Sequence, residues 1–160
     1  MIFEVVTIFE VATIFNVLYH DWIESELAVL KEVRRILRIG GLLLVTEPAF
    51  ASLARDLDVA VMTRRRYRLR AFADLLQAAD LEVLFSNYFT SFGAPLILAS
   101  KAIKLLAVKS GPGGDVPELH AEHRVRDAVL YRLARIEAGL VGASIRMPFG
   151  TTLICVARRR

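Results

Sequence analysis

An α/β fold is the architecture this sequence predicts, and three observations carry it. Short segments rich in β-branched and aromatic residues recur along the chain. Between them lie longer segments whose apolar residues return at helical spacing. The two kinds alternate as strand–helix–strand–helix–strand–helix–helix–strand, which is the order of an α/β chain. With 160 residues there is room for a single domain spanning 1–160.

The first segment repeats itself. Ile-Phe-Glu-Val-Val-Thr at 2–7 returns almost unchanged at 8–13 and begins again, degraded, at Ile14. A period of six preserves strand faces, since side chains alternate with a period of two, whereas on a helix it scatters apolar residues around the axis. Phe9, Val11, Thr13 and Phe15 would share one face, and Ile8, Glu10, Ala12 and Ile14 the other. Nothing later continues the period, so this is no solenoid. A register slip of six keeps every side chain on its face, which makes the segment a site of self-association.

The stretch "SELAVLKEVRRILRIGG" predicts the first helix, with Leu27, Leu30, Val33, Ile36 and Leu37 as its apolar stripe. Ser25 is its N-cap and Gly40-Gly41 its stop. Glu26 and Glu32 toward the start and Arg34, Arg35 and Arg38 at the end complement the helix dipole. "LLLVTEP" is a continuous apolar run, read as a strand buried on both faces and ended by Pro48. "LRAFADLLQAAD" predicts a helix and "LEVLFSNYF" a strand. "APLILASKAIKLLAV" predicts a third helix that tolerates Pro95 in its first turn. "KSGPGGDVPE" is a loop. "RVRDAVLYRLARIEAGLV" is a fourth helix, with Val129, Leu133, Ile136 and Leu140 along the side expected to meet the sheet. "TTLICVARRR" closes the chain as a strand.

Composition narrows the function classes. Hydrophobic residues make up 55% and charged ones 24%, a globular balance. The single cysteine, Cys155, allows no internal disulfide, sits in an apolar run as a small core residue, and suits a reducing cytoplasm. The N-terminus has no basic region ahead of an apolar stretch and no small-residue cleavage site, so it does not read as a signal peptide. The longest uncharged stretch, Val83 to Ser100, is broken by Asn87, Gly93 and Pro95, and a membrane span needs about 20 mostly apolar residues. The formal charge is +4, with arginine triplets at 64–66 and 158–160. No aromatic residues interleave a basic face, which argues against nucleic acid and for an internal cluster plus a solvated tail. His120, Glu122 and His123 invite a metal reading, but no third ligand of similar quality is near, so no metal site is predicted.

Four segments, "FEVATIFNVLYH", "LKEVRRILRIGGLLLVTEPAF", "RRRYRLRAFADLLQAADLEVLFSNYF" and "PFGTTLICVARR", together resemble the C-terminal half of class I S-adenosylmethionine-dependent methyltransferases. They are most similar to a small bacterial branch with an Arg-Arg-Tyr segment after the fifth strand and a Pro-Phe-Gly before the last. The resemblance spans 9–160 and leaves 1–8 as surplus. It implies a partial Rossmann-like methyltransferase sheet, mostly parallel with an antiparallel last strand, and helices on both faces. Val11–Phe15, Leu42–Thr46, Glu82–Phe89 and Thr151–Val156 would be the family's fourth, fifth, sixth and last strands.

The resemblance also implies sites. Asn16 through His20 take the place of a segment that borders cofactor and substrate, so Asn16 and His20 are the cofactor-binding candidates. They are otherwise the satisfied polar end of a strand. Asp58, Arg65, Arg66 and Tyr67 match positions kept in the branch and are the substrate-binding candidates. They are otherwise a salt bridge pinning the loop and a packed aromatic. Leu57 and Thr63 stand where the branch has histidines, so the imidazole chemistry of those positions is lost and no catalytic residue is assigned. The glycine-rich turn that lets backbone approach the cofactor is absent: Gly40-Gly41 precedes a strand and Gly111–Gly114 lies in a late loop.

The function implied is methyl transfer from S-adenosylmethionine to a small molecule, by a chain that binds the cofactor weakly or not at all alone. A second reading, from a different class, is a non-catalytic interaction module. With no first three strands, the edge of the fourth is open and needs a homodimer mate or a separate N-terminal half. A third is a truncated reading frame. The helix at 95–108, charged only at Lys101 and Lys104 with Lys109 just beyond, covers the sheet or rests on a membrane surface.

Overall fold

The structure is a computed structural model that describes residues 9–54, 58, 62–108 and 124–160. The surplus repeat at 1–8, the loop at 109–118, Leu57 and the His120–His123 cluster lie outside the described residues. Elements follow the predicted order: β1 (Phe9–Phe15), α1 (Glu26–Ile36), β2 (Leu37–Pro48), a 3-10 turn at Ala51–Leu53, α2 (Leu69–Ala78), β3 (Leu81–Phe89), α3 (Gly93–Val108), α4 (Arg124–Gly142) and β4 (Thr152–Arg159).

The four strands form one sheet in the order β1-β2-β4-β3. β1 and β2 are parallel, joined through α1, with Val11 opposite Leu42 and Phe15 opposite Thr46. β4 slots between β2 and β3 and runs against both. The last strand is therefore antiparallel, as expected. The expectation of a mostly parallel sheet needs refining. Three strands point one way, but the insertion of β4 makes β1–β2 the one parallel pairing among the described strands.

Local chemistry explains α1 at its start and corrects it at its end. Ser25 is extended, and its Oγ accepts the Ala28 amide at 3.2 Å, as an N-cap should. The helix stops at Ile36, ahead of the two glycines. Leu37 is already extended and fully buried, paired with Phe9. Gly40 and Gly41 belong to β2 instead. Gly40 has φ +78°, and a Cβ on Gly41 would lie 2.8 Å from the Arg38 carbonyl and 3.1 and 3.2 Å from those of Phe9 and Glu10. The glycines thus let β1 and β2 approach where their register shifts.

The core lies on one face of the sheet. Leu43 and Val45 of β2 and Leu153, Cys155 and Ala157 of β4 are fully buried against Leu30 of α1 and Phe72 and Leu76 of α2. Cys155 is the small core residue expected, and burial pushes its thiol up to about 12. The other face is covered unevenly. Past the end of α4, Asn87 of β3 donates to the Ile145 carbonyl at 2.7 Å and accepts the Met147 amide at 2.8 Å. Helices do flank both faces, but toward β1 the second face opens: Val11 and Phe15 are exposed, and Leu42, Leu44, Ile154 and Val156 are half-buried. "LLLVTEP" is therefore packed fully on one face, not two.

The stripe assigned to α4 is corrected as well. Val129, Leu133, Ile136 and Leu140 face outward, exposed by 37–61%. The inward side carries Glu137, 4% exposed, whose Oε1 accepts the Ser91 amide at 2.6 Å. Burial there was dictated by a carboxylate capping the end of β3, a long-range contact that apolar spacing does not report.

Candidate functional site

β1 and β2 end side by side, and open parallel sheets bind ligands outside such carboxyl ends. Chain reversal after β1 begins at Asn16, whose φ of 53° is left-handed and whose amide donates to the Thr46 carbonyl at 2.8 Å. The next two amides, of Val17 and Leu18, donate to one oxygen of Glu47 at 3.1 and 2.9 Å. Leu18 is fully buried and anchors the turn in the core.

His20 ends the turn between two aromatics. Its ring lies 3.8 Å from that of Trp22, tilted by 16°, and 4.0 Å from that of Tyr19. It forms an isolated bridge with Thr63, and its Nδ1 is buried without a hydrogen-bond partner. The 62–67 segment runs back along the same end of the sheet. The amides of Arg64 and Arg65 donate to the Tyr19 carbonyl, at 2.9 and 3.4 Å, and that of Tyr67 donates to Pro48 at 2.9 Å.

The side chains of this segment are engaged with partners. Arg65 pairs with Glu26 of α1. The Tyr67 hydroxyl lies 2.9 Å from the Leu18 carbonyl and 3.0 Å from Glu26 Oε1, and its single proton serves one of them at a time. Burial first, then the Glu26 carboxylate, hold the phenol well above its ordinary range, so Tyr67 stays protonated and acts as a donor, not a base. Its ring meets that of Phe72 edge-on at 5.1 Å. Arg66 grips Asp58 with two bonds, Nε to Oδ2 at 2.6 Å and Nη2 to Oδ1 at 2.9 Å, and donates from Nη1 to the Ala49 carbonyl at 3.1 Å.

Asn16, His20, Arg65 and Tyr67 thus converge on one site, and the Asp58–Arg66 pair adjoins it at the end of β2. Two further carboxylates are central to the cluster. In sequence Glu26 reads only as a dipole partner of α1, yet it accepts from Arg65 and Tyr67. Glu47, inside "LLLVTEP", has no local pattern that marks its role. A lone acidic residue at core-facing parity in an apolar strand signals burial alone. Burial pushes Glu47 up to about 7, opposed by the amides of Leu18, Val17 and Tyr19 and reinforced by the Glu26 charge.

Elsewhere the surface offers less. A cleft of about 560 Å³ between Arg34, Glu82 and Arg160 lies at the opposite end of β3 and contains none of these residues. Of the arginines at 158–160, Arg158 and Arg160 stay exposed, as a solvated tail should, and Arg159 is drawn inward. Arg158 bonds Glu82 at 2.8 Å, Arg159 donates to the Arg35 and Leu37 carbonyls at the end of α1, and Arg160 lies 3.8 Å from Glu82. Among the described residues no three His, Cys, Asp or Glu side chains could hold a metal, and no helix is long and apolar enough to cross a membrane.

No protein-family model matches the sequence, and no curated protein matches it. Solved structures do. A chain of the Haloferax volcanii complex between the Trm112 methyltransferase activator and a protein assigned as a methyltransferase is 13% identical, with a TM-score of 0.52, over 95% of this chain and 54% of that one. A Galdieria sulphuraria protein assigned as a sarcosine dimethylglycine methyltransferase is 15% identical, TM-score 0.49, over 96% and 54%. Haemonchus contortus phosphoethanolamine N-methyltransferase 2, solved with S-adenosyl-L-methionine, is 11% identical, TM-score 0.49, over 94% and 33%. The chain therefore spans about half or less of the length of the structures it matches, and within that span it has the α/β fold of methyltransferases.

Proposed function

We propose that this chain serves S-adenosylmethionine-dependent methyl transfer to a small molecule and supplies the C-terminal half of the fold that does so. The observation that carries the reading is the junction of β1 and β2, where Asn16 and His20 sit on a hydrogen-bonded turn at the carboxyl ends of adjacent parallel strands. Methyl transfer asks chiefly that a nucleophile be aligned with an electrophilic methyl in a dry pocket. Asn16 and His20 would border the cofactor, with no contact geometry assumed. Arg66 and Asp58 are engaged with each other and shape the substrate side, while Arg65, paired with Glu26 and one-third exposed, keeps donors free to meet a ligand. The sequence has no glycine-rich turn after a strand, and the chain alone is expected to bind the cofactor weakly. Titration calorimetry with S-adenosylmethionine tests this, and a micromolar Kd for the isolated chain would overturn it.

A second reading is favoured by the free side of β1. That strand pairs only with β2 among the described strands, and Phe9, Val11 and Phe15 are 45–55% exposed beside the open sheet face. On this reading the chain is an interaction module, completed through that edge by a second copy or an N-terminal half. Sedimentation at high concentration separates the cases: a well-dispersed monomer counts against it.

A further inference from the structure

One side chain holds the turn on which the candidate site is built. Glu47 leaves the end of β2 on the packed face of the sheet, fully buried. Its Oε1 accepts two successive amides, of Val17 and Leu18. Those bonds fix the peptide planes directly after Asn16, the residue in left-handed conformation, and so set where His20 comes to rest. Its Oε2 has no hydrogen-bond partner and is shielded from solvent. A buried carboxylate with one idle oxygen is a costly way to hold a turn. A serine or asparagine could cap two amides without the charge.

We propose that Glu47 is the positioning residue of this site: its carboxylate holds the Asn16–His20 turn in the form that meets a ligand, and uptake of a proton by that carboxylate loosens the turn. The proposal rests on the reading that this turn borders the bound cofactor. Hydrogen bonds to an ionised acceptor are about twice as strong as those to a neutral one, so the two protonation states grip the amides differently. The groups that act on Glu47 are Glu26 of α1, whose charge Arg65 offsets, and Tyr67, which stays neutral; His20 belongs to the turn itself. Burial against three amides leaves Glu47 titrating at about 7, so both states are populated near neutrality.

The molecule carries its own reporter. Trp22 is the single tryptophan and stacks on His20 at 3.8 Å, so its emission follows the end of the turn. Emission of the full chain is recorded from about pH 5.5 to about 8.5, the interval that brackets a carboxylate raised toward neutrality. A transition centred near 7 is expected in the wild type, retained in His20→Asn and absent in Glu47→Gln. Retention in Glu47→Gln with loss in His20→Asn would assign the transition to the imidazole and overturn the proposal. Amide exchange on the wild type guards against a variant that fails to fold. Relative to the amides of the neighbouring strands, protection of Val17 and Leu18 should fall about tenfold on passing below the transition, because proton uptake weakens their two bonds while the carboxyl stays buried and the fold as a whole gains stability. Unchanged protection overturns the proposal. Neither readout needs the cofactor, so a failure to bind S-adenosylmethionine and a failure of the Glu47 clamp are told apart.

Discussion

Replacing Asp58 with alanine breaks an ion pair that water barely reaches. The two bonds from Arg66 measure 2.6 and 2.9 Å, and the Arg66 and Asp58 side chains are 8% and 11% exposed. At that burial solvent screening is weak, and removing one partner leaves the other charge stranded, a loss of about 3–5 kcal/mol. Arg66 keeps one bond, to the Ala49 carbonyl at 3.1 Å, so the lower end, about 3 kcal/mol, is expected. For a chain of 160 residues that is a fall in Tm of roughly 6–12 °C. Urea unfolding followed by circular dichroism measures it in wild type, Asp58→Ala, Arg66→Met and the double variant. The double variant should recover much of the loss, because no unpaired charge remains buried. A loss below about 1 kcal/mol with additive variants would refute the reasoning, since it is the behaviour of a screened surface pair free to exchange its partner for a ligand.

Glu47 makes stability depend on pH in the opposite sense to most carboxylates. Its value rises from 4.5 unfolded to about 7 folded, so the stability present with Glu47 protonated is lost as pH climbs through about 7. At about 1.36 kcal/mol per pH unit, Glu47→Gln should gain about 3 kcal/mol relative to wild type as pH rises from 4.5 to about 7 and nothing further above it, and a pH-independent difference in urea unfolding would refute this. Gly41→Ala should cost more than Gly40→Ala, about 2 or more against about 1 kcal/mol by the same assay, because the first meets three carbonyl oxygens within 3.2 Å and the second has only its φ of +78° to oppose it. Cys155, fully buried with its thiol pushed up to about 12, should resist alkylation in the native chain and react at once in denaturant, as mass spectrometry would record.

What could be read in advance follows from how far each signal reaches along the chain. The Ser25 cap and the stripe of α1 involve neighbours within four residues, so periodicity and capping chemistry reveal them. The alternation in "FEVATIF" likewise shows a strand whatever it pairs with. Glu26 and Glu47 could not be assigned this way. Their partners lie 29 to 41 positions away, on Val17, Leu18 and Tyr67, and no local pattern encodes such a contact.

Residue order by itself determined the succession of elements and the α/β class, because helix and strand formation answer to local side-chain spacing. Tertiary structure alone decided the rest. Gly40 and Gly41 became a close approach of strands instead of a helix stop, with Leu37 fully buried at the start of β2. Val129, Leu133, Ile136 and Leu140 turned outward because Glu137 docks on Ser91, and Arg159 was drawn onto the end of α1. In each case the choice was between faces or partners that are equivalent in sequence. Only the three-dimensional arrangement of buried surface and unsatisfied polar groups distinguishes them.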